Sequence, residues 1–251
     1  MKRTLMAATL VASAPSAMAL PFIDLEAGGG MTFPTLDSGN IGDDVSLTDS
    51  GDNITLDLSG ETGFYLNGRV GLPIIPDIKL RYERLNYSNS FDVEGEATLD
   101  MSYLDTAFVY GLPDLVPGVD YYVDFGLNLR WMLGGFEAEV NTGNTESESF
   151  PAVPLPSAHL AGGVTIPTVD VEVSGALNTL PIDGLNFNDW NVKARWFVPL
   201  PTDAIARLGL ETGYRSWSID IDGQEASWLG DDDAKLDFST SGFFVGTALT
   251  F

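Results

Sequence analysis

The sequence predicts an all-β protein, namely a transmembrane antiparallel up-and-down β-barrel of about ten strands, with eight strands as the alternative count. Three observations lead to this fold class. Apolar and polar residues alternate along unusually long segments, short Pro-bearing connections alternate with longer polar ones, and the chain ends on an aromatic residue, Phe251. A period of two residues is typical of a strand whose two faces meet different surroundings.

The composition excludes several other classes of protein. The 251 residues include 12 Lys and Arg against 36 Asp and Glu, one His and no Cys, and the formal net charge is -24. Nucleic-acid binding needs a basic face that so few cations cannot provide. The lack of cysteine excludes disulfide scaffolds and thiolate metal sites. We therefore expect no nucleic-acid partner and no cofactor.

The first 19 residues predict an export signal. Lys2 and Arg3 precede an apolar stretch over residues 5–14, and Ala17 and Ala19 supply the small residues that a signal peptidase reads. This stretch is too short to span the roughly 30 Å of hydrocarbon in a bilayer. We expect cleavage after Ala19, which makes residues 1–19 a signal peptide and residues 20–251 the barrel domain.

Ten predicted strands account for the rest of the chain. The clearest one includes residues 121–133, in which seven alternate positions are apolar and the positions between them are mostly polar or small. Two segments fit the alternation badly, because Asp105 shares the phase of Leu99 and Tyr103, and the apolar phase changes after Tyr214. A β-bulge would explain each misfit. The strands are placed at residues 21–35, 54–72, 77–88, 97–111, 120–139, 157–166, 169–179, 189–199, 204–221 and 235–251.

The connections indicate which end of the barrel is which. Four are short and weakly charged, and five are mostly longer, polar and often acidic. An even strand count keeps both termini at the short-turn end, as in outer-membrane barrels. A soluble sandwich or lipocalin-like barrel is the competing fold, but strand length and the aromatic residues of the apolar phase favour contact with lipid.

These features together resemble the small outer-membrane β-barrel proteins of Gram-negative bacteria, including an uncharacterised proteobacterial subfamily. The final strand carries four apolar residues on one phase, Phe243, Val245, Leu249 and Phe251. In that family the barrel-assembly machinery recognises a terminal aromatic strand. The resemblance implies that these residues are an assembly signal, that this machinery is a partner, and that the protein lies in the outer membrane among lipid and lipopolysaccharide. It implies no particular activity.

The polar phase of the predicted strands would face the lumen and contains charges of both signs. Near-balance favours cross-lumen ion pairs in a narrow barrel, whereas a selective pore needs an excess of one sign. We therefore expect a structural or passive-transport role, with a narrow or plugged pore and no catalysis. The fifteen charged residues are Asp24, Glu26, Arg69, Lys79, Arg81, Glu83, Asp124, Arg130, Asp170, Glu172, Lys193, Arg195, Arg207, Glu211 and Arg215.

A binding barrel is the alternative function, either for a small apolar ligand or for divalent cations at the acidic outer loops. Carboxylates are suitable ligands for Ca²⁺ or Mg²⁺, although no segment follows the calcium-loop spacing through to its Glu. The acidic residues concerned are Asp37, Asp43, Asp44, Asp49, Asp52, Glu137, Glu139, Glu146, Glu148, Asp220, Asp222, Glu225, Asp231, Asp232 and Asp233.

An enzymatic function is the least favoured interpretation. His159 is the only histidine, and it lies two residues after Ser157 on the polar phase of one strand. A Ser–His pair can generate a nucleophile, but the sequence contains no Gly-x-Ser-x-Gly elbow. No catalytic residue and no metal ligand is predicted.

Overall fold

A computed structural model describes residues 24–41, 45–46, 54–55, 57–73, 75–91, 95–112, 119–140, 144–150, 154–182, 184–201, 203, 205–222 and 235–251. Within this part of the chain, no helix is long and apolar enough to cross a membrane. Seventeen strands are described: β1 (Asp24–Ile41), β2 (Val45–Ser46), β3 (Ile54–Thr55), β4 (Ser59–Gly60), β5 (Gly63–Gly71), β6 (Asp77–Arg84), β7 (Asn86–Phe91), β8 (Gly95–Asp100), β9 (Tyr103–Gly111), β10 (Tyr121–Met132), β11 (Gly135–Val140), β12 (Asn144–Ser149), β13 (Leu155–Ile166), β14 (Val171–Ile182), β15 (Leu185–Phe197), β16 (Arg207–Asp222) and β17 (Lys235–Thr250).

Ten of these strands form a closed antiparallel barrel. They pair in the order β1-β5-β6-β9-β10-β13-β14-β15-β16-β17, and β17 pairs back with β1. The closing seam extends from the pair Glu26 and Thr250 to the pair Ile41 and Leu236. This arrangement confirms the predicted fold class and favours ten strands over eight. Closure satisfies the backbone hydrogen bonds that lipid cannot.

The strand bounds agree with the prediction except near the longer connections. β1 continues six residues beyond its predicted end at residue 35, and its register shifts between Leu36 and Ser38. The connection predicted between the strands 169–179 and 189–199 is mostly strand, because Ile182 pairs with Leu185 across a tight hairpin. Gly184 has a φ of 77°, a left-handed conformation that glycine adopts at little cost and that short hairpins need.

The strands of the barrel extend much further at one end than at the other. Five barrel strands continue into a second sheet, with the order β12-β11-β8-β7-β4, and β2 and β3 add to the end of β1. These extensions lie opposite the short connections at residues 72–76, 112–120, 167–170 and 198–206. We call the two ends the hairpin end and the short-turn end.

The outer surface near the short-turn end is an apolar belt. On β17 the side chains of Phe243, Val245 and Leu249 are exposed, and the alternating Phe244 and Ala248 are buried inside. Aromatic rings mark the edge of the belt towards the hairpin end, where the Tyr214 ring centroid lies 5.1 Å from that of Phe243. An apolar outer band with aromatic girdles is the surface that a bilayer requires of a barrel.

Beyond this aromatic edge the two faces of the strands exchange character. On β16 the outward Tyr214 is followed by the outward Ser218, whereas the inward Arg215 is followed by the inward Trp217 and Ile219, which are buried. The pairing of β16 with both neighbours is continuous, so a bulge does not explain the change of phase after Tyr214. The strand keeps its alternation, but its outer face becomes polar and its inner face becomes apolar.

The misfit around Asp105 has the same cause. Leu99, Met101, Tyr103 and Asp105 all face inward and are buried. The prediction that this apolar phase faces lipid is therefore wrong for the first three residues. They belong to the apolar interior of the extension, and Asp105 belongs to the charged interior below it.

The interior at the hairpin end is filled by a cluster that we call the hairpin-end core. The rings of Tyr87 and Phe238 pack edge to face, with 5.6 Å between their centroids. Thr240 donates its hydroxyl to the Thr35 carbonyl, so the Tyr87 hydroxyl donates to Thr240 Oγ1 at 2.6 Å. Burial raises the pKa of Tyr87. The buried members are Leu36, Leu58, Leu85, Tyr87, Ala97, Leu99, Met101, Tyr103, Leu155, Leu185, Phe187, Trp217, Ile219 and Phe238.

Candidate functional site

Directly below the hairpin-end core, three arginines and three carboxylates form a central network. Arg130 is fully buried and donates to Asp105 through Nε at 2.8 Å and Nη2 at 2.7 Å, and also to Asp189. Arg215 donates through Nε to Asp189 at 2.8 Å and through Nη1 to Glu83 at 2.9 Å. The six members are Arg81, Arg130, Arg215, Glu83, Asp105 and Asp189.

Aromatic side chains join the central network to the hairpin-end core. The Arg130 guanidinium lies 3.8 Å from the centroid of the Tyr103 ring, a cation–π geometry. The Tyr103 hydroxyl donates to Glu83 at 2.6 Å, and Arg81 donates to the same carboxylate at 2.8 Å. Equal numbers of opposite charges therefore close the lumen in a dense, hydrogen-bonded layer.

A second group of charges lies nearer the short-turn end and is centred on Arg195. Its guanidinium donates to Glu26 through Nη1 at 3.0 Å and Nη2 at 2.6 Å, and to Glu211 through Nε at 3.2 Å. Glu211 also accepts from the Tyr65 hydroxyl at 2.8 Å and from Lys193 at 3.4 Å.

A third group is centred on Asp124, which is buried. Lys79 donates to its carboxylate at 2.7 Å, and Arg69 Nη1 lies 3.4 Å from the same oxygen. Arg69 Nε also donates to Asp77 at 3.1 Å. These contacts connect β5, β6 and β10 along the inner face of the barrel.

Between the central network and these two groups lies a cavity of about 280 Å³, which we call the lumen chamber. Small residues of β13 and β14, such as Ala161, Ser174 and Ala176, leave the space open on one side. The cations facing it are partly exposed, with side-chain exposures of 23% for Lys79 and 21% for Lys193. Their carboxylate partners lie behind them and are 1–2% exposed.

Twelve of the fifteen predicted lumen charges lie in these groups or in the chamber wall, where Glu172 is found. Three do not, and for them the prediction is wrong. Asp24 is exposed at the start of β1, and Asp170 and Arg207 form an exposed pair with 3.8 Å between their charged atoms. Asp170 belongs to the short connection before β14 and has a φ of 50°, so the strand alternation does not extend to it.

Three inward carboxylates were missed by the sequence analysis. Asp105 looked like a misfit, Asp189 was placed at the boundary between a loop and a strand, and Asp77 was placed at the edge of a short turn. A usable signal exists for Asp189, because extending the β15 alternation one residue before Trp190 puts it on the inward phase of Lys193.

His159 is held in the chamber wall but is not paired with Ser157. Its Nδ1 lies 2.6 Å from Asn178 Oδ1, and its Nε2 is buried with no partner. Ser157 Oγ instead accepts a long hydrogen bond of 3.5 Å from Asn128. Among the described residues, no hydrogen bond links a hydroxyl nucleophile to this histidine.

The predicted cation sites are only partly covered by the structure. Within the described ranges, no three acidic or histidine side chains are grouped as metal ligands. Residues 1–23, with the predicted cleavage point after Ala19, lie outside the described part of the chain. So do Asp43, Asp44, Asp49, Asp52, Glu225, Asp231, Asp232 and Asp233 of the acidic loops.

Comparison with known proteins gives a likeness of fold. No family model and no curated protein matches the chain. Among solved structures it is similar to the outer membrane protease OmpT from Escherichia coli, with 13% identity and a TM-score of 0.45. The match covers 92% of this chain and 96% of that one. At this identity the likeness concerns the closed barrel alone.

This match corrects the function expected from the sequence. A structural or passive-transport barrel without catalysis was predicted, whereas the matched barrel is a protease. The prediction is wrong in treating this architecture as non-catalytic. No residue role passes from that protein to this chain.

Proposed function

We propose that this chain is an outer-membrane barrel whose lumen chamber binds a small anionic solute. The observation that carries the proposal is the unequal presentation of charge around the chamber. Six cations line the cavity against three carboxylates, because Glu83, Asp124 and Glu211 are at most 3% exposed and lie behind the cations. The six cations are Arg69, Lys79, Arg81, Lys193, Arg195 and Arg215, and the three carboxylates are Glu26, Asp105 and Glu172. The exposed apolar belt and the predicted signal peptide support the location.

The lysines have donors to spare for such a ligand. An ammonium carries three N–H donors, and one hydrogen bond to a carboxylate is described for each of Lys79 and Lys193. Electrostatic attraction is stronger in a narrow, protein-walled space than in bulk water. An anion can therefore bind these ammonium groups without displacing the buried carboxylates.

Other ligand classes fit the chamber less well. A divalent cation would meet Arg69, Lys79, Arg81 and Lys193 along the wall, and like charges repel. An apolar ligand would remove water from these cations without offering a hydrogen-bond acceptor in return, which is costly. The acidic outer surface of the protein does not change this preference for an anion, because the charges of the chamber wall determine the electrostatic potential inside the chamber.

The chain contains no cysteine, so charge-selective thiol labelling can measure the chamber directly. Ala176→Cys places a thiol in the chamber wall, and Thr62→Cys places one in solvent at the hairpin end. We expect anionic sulfonatoethyl methanethiosulfonate to react about tenfold faster than the cationic trimethylammonioethyl reagent at Ala176→Cys, relative to the ratio at Thr62→Cys. An equal or inverted ratio contradicts the proposal.

Two further measurements make this test specific. Adding Lys193→Met should reduce the anion preference, whereas Arg84→Met, which removes an exposed cation outside the lumen, should leave it unchanged. Phosphate, acetate or succinate should protect the thiol in a saturable manner. If none of these three anions protects it, the chamber is not a binding site. Heat-modifiable gel migration verifies folding of each variant.

A further inference from the structure

We propose that the lumen chamber is loaded from the short-turn end only, so that its ligand comes from the cell side and not from the medium. This inference rests on the proposed function and adds the source of the ligand. Outer-membrane barrels place their short turns in the periplasm and their longer loops outside. The ligand would then be a small periplasmic anion.

The hairpin end is closed by two successive layers. The first is the hairpin-end core, in which Tyr87, Leu99, Met101, Phe187 and Phe238 are each 0% exposed. The second is the central network, whose charged side chains are buried apart from that of Arg81, which lines the chamber and is 22% exposed. An ion entering from this side would have to cross apolar packing, where it is desolvated without a partner.

Ion pairing makes the second layer equally hard to pass. Arg130 and Asp189 are both 0% exposed and are bonded to each other and to further members of the network. Separating one such pair leaves a buried charge uncompensated, which costs several kcal/mol in proteins. Both layers lie on the same side of the chamber.

The short-turn end offers a short and polar route instead. The chamber wall includes Glu26, Tyr122, Glu172 and Arg195, each within three residues of a strand end at the short turns. At a rise of roughly 3.3 Å per residue, the chamber begins within about 10 Å of that rim. Arg69, on this route, keeps a side-chain exposure of 30%.

Sided labelling in sealed liposomes tests this inference. The same anionic thiol reagent, which does not cross lipid, is added outside to refolded single-cysteine variants. Ile75→Cys marks the short-turn end, Thr62→Cys marks the hairpin end, and Ala176→Cys reports on the chamber. The two end markers give the fraction of molecules in each orientation.

We expect the labelled fraction of Ala176→Cys to equal that of Ile75→Cys. Labelling that follows Thr62→Cys, labelling of all molecules, or no labelling from outside each overturns the inference. The proposed function fails in a different way, through loss of the anion preference at Ala176→Cys in detergent, where both ends are accessible. The two failures are therefore distinguishable.

Discussion

Arg130 shows how a single residue can be charged and fully enclosed. Its guanidinium has two carboxylate partners, Asp105 and Asp189, and lies 3.8 Å from the centroid of the Tyr103 ring. Bidentate pairing and stacking suit the planar guanidinium and would not suit a lysine ammonium. The arginine is therefore required, because without it Asp105 and Asp189 would be buried carboxylates with too little positive charge beside them.

Replacing this arginine should be strongly destabilising. In Arg130→Met, Asp105 and Asp189 share only Arg215, and we expect a loss of about 3–5 kcal/mol in the free energy of unfolding. Arg207→Met is the matched control, because its ion pair is exposed and worth at most about 1 kcal/mol. Urea unfolding of the refolded barrel measures both. Equal stability of the two variants would show that the central network does not hold the lumen together.

At the scale of the element, β16 spans two different surroundings. Its outward residues change from Leu210 and Tyr214 to Ser216, Ser218 and Asp220 without a break in pairing. The change of polarity therefore reports where the strand leaves the apolar belt. The backbone geometry of the strand is uniform, so only its side chains mark the boundary of the belt.

Cysteine scanning along β16 can locate this boundary. In liposomes, Ser218→Cys should react quickly with a water-soluble maleimide, whereas Thr212→Cys, outward but within the belt, should stay unlabelled until the protein is unfolded. The two positions share a strand and a face, which makes them matched controls. Rapid labelling of Thr212→Cys in the folded barrel would place the belt elsewhere.

The hairpin between β14 and β15 depends on one backbone conformation. Gly184 has a positive φ, and placing an L side chain there costs about 1–2 kcal/mol. We expect Gly184→Ala to lower the free energy of unfolding by that amount. Gly68→Ala should change it little, because an added Cβ there meets only Glu26 O at 3.5 Å. A neutral Gly184→Ala would mean that the hairpin relaxes into another turn.

At the scale of the whole molecule, the belt has a definite height. At the end of the chain it extends from Phe243 to Phe251, which is nine residues. With a rise of about 3.4 Å per residue and a tilt near 40°, this gives roughly 23 Å. Outer-membrane barrels have bands of about 25 Å, so the belt suits a thin bilayer.

This height predicts a dependence of folding on lipid length. We expect high refolding yields in bilayers of phosphatidylcholine with chains of about 12 carbons and low yields with about 18, because mismatch costs free energy with every ångström. The shift in heat-modifiable gel migration measures the yield. A yield independent of chain length would contradict the assignment of the belt.

The fold was predictable because period two is a local property of strands, and ten strands with short and long connections imply a closed barrel. The interior was less predictable. Alternation assigns residues to a face, but it does not say which face is lipid and which is lumen once the strand leaves the belt. Leu99 and Trp217 were therefore assigned to the wrong surroundings.

The candidate site was predictable as a set of inward charges and not as a geometry. Lys79 and Asp124 were both expected in the lumen, but their sequence positions do not reveal that the carboxylate lies behind the ammonium. That depth difference depends on side-chain length and on the neighbouring strands. The chamber itself depends on small residues such as Ala176, which carry no chemical signal in a sequence.

The exchange of faces beyond the aromatic edge also constrains how the barrel is made. While a hairpin such as β16–β17 is being threaded through the bilayer, Ser218 and Asp220 must pass through hydrocarbon before they reach water on the far side. Polar groups in transit have no partners there and are costly to bury. We therefore expect unassisted, hairpin-by-hairpin insertion to be slow. Fast insertion of this chain should require a protein channel that shields each strand while it crosses the bilayer.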